Sequence, residues 1–110
     1  MAAYAATISS SMDRAVEMSR GIAIYAGTAA LTNYNSTLVA LTALTQKFDT
    51  VFSVTPAVST NGYRLNWVSA SSAFKAWKNS GTAGVDVEVG DDVDVGTFQF
   101  IATGLRKSAG

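Results

Sequence analysis

The sequence predicts an all-β chain: a small antiparallel β-sandwich with an extended N-terminal arm and room for one short helix. Three observations carry this. From Phe48 onward, short runs alternate apolar with polar residues, and turn residues separate them at the spacing of about 8–12 residues typical of sandwiches and barrels. Charged residues make up only 15% of the chain, and Ser, Thr, Ala and Val take their place. β-Branched side chains lose rotamer freedom in a helix but pack well on a pleated surface. Finally, 110 residues are enough for one hydrophobic core without disulfides, and the chain has no cysteine.

The elements follow in order. Residues 1–20 read as an arm ahead of a domain over 21–110, because residues 1–11 are small, uncharged and without a decisive period. Ser11 to Arg20 has room for one or two helical turns, weakened by Asp13 and Glu17 four apart. Gly21 to Ala26 reads as a strand with Ile22 and Ile24 on one face, and Asn33 to Ser36 as a turn. Thr37 to Phe48 suits either a strand with a turn or a short helix capped by Ser36. The helix would align Leu38, Leu41, Leu44 and Phe48, but the neighbouring strands favour the strand reading. In the next run Phe52, Val54 and Val58 share one parity, and Pro56 ends the strand or confines it to an edge. Asn61-Gly62 is a hairpin signal. Tyr63, Leu65 and Trp67 alternate with Arg64 and Asn66, and Ser69 to Ser72 forms a turn. Phe74 to Lys78 is a short strand, followed by a loop over Asn79 to Gly84. Val85, Val87, Val89, Val93 and Val95 oppose Asp86, Glu88, Asp92 and Asp94 in parity, so the valines are expected inward and the acids outward. The closing strand places Phe98 and Phe100 on one face.

Composition removes whole function classes. Without histidine or cysteine, the chain has no imidazole base, no thiol nucleophile and no zinc site of the usual kinds. No glycine-rich phosphate loop is present, since Gly81 to Gly84 lacks a following lysine and helix. A formal charge of zero offers nucleic acid no basic footprint. The longest weakly apolar stretch, Gly21 to Leu31, is too short to span a bilayer. A soluble non-enzyme without a cofactor is therefore expected, bound neither to nucleic acid nor to membrane.

Two clusters invite functional readings. Five of the eight acids, Asp86, Glu88, Asp91, Asp92 and Asp94, lie within nine residues. Carboxylates so close suit a Ca²⁺ ion, a basic partner surface, or a solvated strand face that discourages edge pairing. No spacing matches an EF-hand, and Asp91 falls on the valine parity, where a bulge or turn would turn it outward. The aromatic cluster is Tyr63, Trp67, Phe74 and Trp77, with Arg64 among them. Large aromatics usually fill small β cores, but Trp77 is opposite in parity to Phe74. One of the two therefore points outward, and an outward Trp77 would suit a sugar ring.

The order of signals in the second half resembles a small β-sandwich module of tailed-bacteriophage structural proteins. The residues that carry it are Phe48-Asp-Thr-Val-Phe-Ser-Val-Thr-Pro56, Asn61-Gly-Tyr-Arg-Leu-Asn-Trp67, Phe74-Lys-Ala-Trp77 and Gly96-Thr-Phe-Gln-Phe-Ile-Ala-Thr-Gly104. Such modules are similar to the H-type lectin arrangement, in which an aromatic-Ile-Ala-x-Gly strand closes the sheet, and the likeness covers Thr37 to Leu105. The resemblance implies a virion protein, made in the host cytoplasm and placed on the capsid surface: a decoration or cement protein that bridges neighbouring capsomers. The alternative is a tail-fibre or receptor-binding module. At 110 residues there is no room for a fibre shaft, which favours cement. The implied partners are the major capsid protein and further copies of the chain, as trimer or dimer. The expected contacts are Tyr4, Ile8 and Met12 of the arm, the acids Asp86, Glu88, Asp92 and Asp94, and Trp77.

Overall fold

The structure, a computed structural model, describes residues 3–12, 15–81 and 84–106. Eight strands and one helical turn follow one another as β1 (Ala5–Ser9), β2 (Val16–Ser19), β3 (Ile22–Asn33), α1 (Thr42–Thr45), β4 (Phe48–Pro56), β5 (Arg64–Val68), β6 (Ala73–Asn79), β7 (Asp86–Glu88) and β8 (Gly96–Arg106). They form two antiparallel sheets, one of five strands in the order β1-β3-β8-β4 with β2 also on β3, and one of three in the order β5-β6-β7. The all-β sandwich expected from alternation is the fold observed.

The two long strands β3 and β8 pair without a register shift from Ile22↔Leu105 to Leu31↔Gly96 and form the backbone of the larger sheet. Their inner faces carry Ala23, Tyr25, Ala29 and Leu31 opposite Phe98, Phe100 and Ala102, all buried. Phe74 of β6 fills the space between the sheets. Its ring meets Phe98 edge-on at 4.9 Å, Trp67 at 5.1 Å and Phe100 at 6.3 Å. Edge-to-face arrays of this kind satisfy ring quadrupoles while burying large areas. Small inner-face residues make room for these rings.

Several expectations are corrected. The arm is not separate from the sheet: residues 5–9 form β1, paired with β3 from Ala5↔Asn33 to Ser9↔Thr28. The helical turns considered for 11–20 give way to β2, also on β3, while Asp13 and Arg14 lie outside the described residues. Over 37–48 the favoured strand is absent, and α1 forms instead. Leu41 and Leu44 are buried at helical spacing, and the Leu41 N–H donates to the Ser72 carbonyl at 2.8 Å, leaving no strand partner. Ser36 does not cap this helix; its N–H donates to Asp91, and Leu41 stands at the N-cap.

Asn61-Gly62 does make a tight turn, with the Gly62 N–H on Ser59 O at 2.9 Å and Gly62 at φ +85°. It is no hairpin, however, because β4 and β5 belong to different sheets. Residues 57–60 first follow β8, through Ala57 N–H to Gln99 O and Thr60 N–H to Thr97 O, both 2.8 Å. The chain then crosses over. Phe52 and Val58 do not join Val54 in the core, being 53% and 62% exposed. A bulge between Val51 and Ser53 adds a residue to β4 and resets its parity.

Candidate functional site

The acidic stretch splits by position. Asp86 and Glu88 lie on β7, whose register places Glu88 opposite Trp77 and Asp86 opposite Asn79. Asp91, Asp92 and Asp94 belong to the loop that runs beside the end of β3, held by Tyr34 N–H on Val93 O at 2.9 Å and Asp92 N–H on Tyr34 O at 2.8 Å. Each acid has a partner within the chain. Asp86 pairs with Arg64, Glu88 accepts from the Tyr34 hydroxyl, and Asp91 accepts the Ser36 N–H at 2.9 Å. Asp92 accepts from the Asn33 side chain at 3.4 Å, and Asp94 accepts the Gly96 N–H at 3.0 Å. Among the described residues no three acidic groups converge on a point where a cation would sit.

The valine expectation holds only at the C-terminal end. Val89 and Val95 are buried, whereas Val85 and Val87 are 47% and 38% exposed. Val87 lies on the three-residue edge strand β7, and Val85 immediately precedes it.

Tyr4 is not available to a partner. Its ring packs edge-on against Tyr34 at 5.9 Å, and its hydroxyl both donates to Phe74 O at 2.9 Å and accepts the Phe74 N–H. Tyr4 therefore joins the N-terminal segment to the central strand of the opposite sheet. Burial pushes its hydroxyl up to about 12, partly opposed by the hydrogen bond it accepts from the Phe74 N–H. Tyr34 is raised further, by burial first and then by its hydrogen bond to Glu88. Ile8 and Met12 are half-buried against the core, and the Met12 sulfur accepts the Ala26 N–H at 3.3 Å. All three side chains are engaged within the chain.

Trp77 does face outward, as the parity argument allowed, and Phe74 faces in. Its surroundings occupy it. The Lys75 ammonium lies 4.9 Å from the ring centroid, and the indole N–H donates to Asn66.

The surface with no internal partner lies elsewhere. The outer face of the five-stranded sheet carries Ile22, Ile24, Ala26, Thr28, Ala30 and Thr32 of β3 against Leu105, Thr103, Ile101, Gln99 and Thr97 of β8. Val16 of β2 sits opposite Ile24, and Ser53 and Thr55 of β4 lie opposite Thr103 and Ile101. Not one of these side chains is charged. Val16, Ile101, Leu105 and Ile22 are 54, 50, 40 and 37% exposed. From Ile22 to Thr32 the face runs roughly 34 Å, and its four strand columns span roughly 19 Å, so it offers on the order of 650 Å².

A groove of about 810 Å³ crosses this face, lined by Ser9–Ser11, Ala26–Thr28, Thr55–Ala57 and Gln99–Ile101. No titratable side chain lines it. The Ser10 hydroxyl is already used, donating to Ala26 O at 2.5 Å and accepting the Met12 N–H at 2.9 Å. Such a groove suits apolar and hydroxyl-rich surface, and it holds no group for acid–base chemistry.

None of these face residues was among the expected contacts. The signal was present in the sequence: Gly21 to Ala26 and Gly96 to Thr103 carry large apolar residues on both parities. A strand apolar on both faces is usually covered on both.

No protein-family model, no curated protein and no solved structure matches this chain.

Proposed function

We propose that the chain is a non-enzymatic structural protein of a tailed-phage virion, a decoration protein that attaches to the capsid shell through the outer face of its five-stranded sheet. One observation carries the attachment: the outward side chains of β3 and β8 hold no charge, and several of their aliphatic residues are exposed. Buried unpaired charges are costly in an interface, so a face without any can be covered at little desolvation cost. Its estimated area approaches the roughly 800 Å² per partner of a standard protein interface. The assignment to a virion rests on the sequence resemblance over Thr37 to Leu105.

The test is attachment to DNA-filled heads. The chain should be found in purified heads by mass spectrometry, and Ile101→Asp should abolish its binding to heads stripped of it while the variant keeps its fold. Heads that lack the chain altogether, or that bind Ile101→Asp as well as the parent, would overturn the proposal. A receptor-binding role through Trp77 has less support, because both the ring and the N–H of Trp77 are engaged within the chain. Trp77→Ala should leave both attachment and cell adsorption unchanged.

A further inference from the structure

The edge of the larger sheet formed by β1 differs from the other strand edges. Natural sheets blunt their edges with charge, proline, bulges or very short strands. β4 carries two register shifts and ends at Pro56. β7 is three residues long and includes Asp86 and Glu88, and β5 begins at Arg64. β1 reads Ala-Ala-Thr-Ile-Ser over Ala5–Ser9, without charge or proline, and its one irregularity lies at the Ala5/Ala6 end.

The register shows which of its backbone groups are free. The carbonyls of Thr97 and Gln99 turn toward residues 57–60, so backbone groups alternate such that Phe98 and Phe100 turn toward β3. Their partners Ala29 and Gly27 then turn toward β8, and Thr28 and Ala30 toward β1. Thr28 and Ala30 pair with Ser9 and Thr7, which leaves the N–H and C=O of Ala6 and Ile8 directed out of the sheet. Among the described residues, no backbone group bonds to them from outside the sheet.

We infer that β1 is a homodimer edge, on which β1 of a second copy pairs antiparallel about a twofold axis through Thr7. In that register Ala6 faces Ile8 of the other copy, Thr7 faces Thr7, and both N–H and both C=O groups of each strand are satisfied by four hydrogen bonds. The occupant is a second copy because the free groups are self-complementary: donors and acceptors exchange places under the twofold. The facing side chains carry no charge to repel. The pairing also joins the two larger sheets, so their uncharged outer faces become one surface of about twice the area. That geometry does not depend on what the outer face binds.

The experiment is sedimentation equilibrium and native mass spectrometry of the purified chain, with circular dichroism as the control for folding. The parent should be a dimer. Ala6→Pro deletes an outward N–H and no bond to β3, and should weaken the dimer at least about tenfold. Thr7→Lys and Thr7→Glu each set like charges opposite one another. Each should be folded and monomeric alone, and mixing the two should restore a one-to-one heterodimer. Ile101→Asp, on the outer face, should leave the dimer intact, which separates this contact from shell attachment. A parent that stays monomeric at its highest soluble concentration would overturn the inference. So would a dimer indifferent to all three edge variants, or a mixture of the Lys and Glu variants that fails to associate.

Discussion

At the scale of single residues, Tyr4 matters most for holding the sheets together. Its hydroxyl satisfies both backbone groups of Phe74 on the opposite sheet, so Tyr4→Phe leaves a buried N–H and C=O without a partner. The expected loss is about 2–3 kcal/mol, read by chemical denaturation. Alkaline titration gives a second prediction. In the unfolded chain a tyrosine releases its proton near pH 10, whereas Tyr4 in the fold holds it to about 12. Between these values the unfolded state binds fewer protons, so stability falls as pH rises through that window and is unaffected by Tyr4 below it. Denaturation midpoints should be lower at about pH 11.5 than at about pH 9, and Tyr4→Phe should flatten part of the difference. Gly104 illustrates a steric requirement: a Cβ there would collide with the Thr50 carbonyl and lie 3.0 Å from the Phe48 ring. Gly104→Ala should cost about 1–3 kcal/mol by prising β4 from β8. By contrast, the exposed Arg64–Asp86 pair should contribute under about 1 kcal/mol, measurable by a double-mutant cycle.

At the scale of elements, β1 is part of the folded domain. It covers one edge of β3, and its flanking Tyr4 lies against Tyr34, which is fully buried. Deleting residues 1–12 should therefore expose Tyr34 and Leu31 and abolish cooperative unfolding, visible as loss of the near-ultraviolet dichroism of the buried aromatics. A truncated chain that kept a native spectrum would show that the segment is dispensable. Residues 1–11 gave no such warning in the sequence, because a short run of Ala, Ser and Thr has no strong period and gains its strand geometry from the ladder with β3. The helix over Thr42–Thr45 was legible as one of two readings through Leu41 and Leu44. The choice was made by the hydrogen bond from Leu41 to Ser72, a contact across thirty-one positions of chain that no local pattern encodes.

At the scale of the molecule, two features stand out: an uncharged outer sheet face and a strand edge without the usual guards. Both are surfaces that other protein can cover without stranding charge, and they meet at Thr7 and Ser9. The zero net charge gives weak repulsion between copies. The acids, the most conspicuous feature of the sequence, are spent within the chain on Arg64, Tyr34, Ser36, Asn33 and Gly96. Replacing Asp94 with Ala should therefore act on the turn before β8, lowering stability by about 1 kcal/mol, with no change in assembly.

Composition and alternation were sufficient for the all-β class, the shared face of Phe98 and Phe100, that of Tyr63, Leu65 and Trp67, and the opposite parities of Phe74 and Trp77, because these depend on a period of two along a single strand. They could not say which parity of β3 meets the core. Ile22 and Ile24 are larger than Ala23 and Ala29, yet the smaller pair is buried. The rings of Phe74, Phe98 and Phe100 arrive from distant parts of the chain and fill the inner space together with Tyr25 and Leu31, with Ala29 opposite Phe98. Ile22 and Ile24 stand on the opposite face, and the uncharged outer surface is set by packing between strands far apart in sequence.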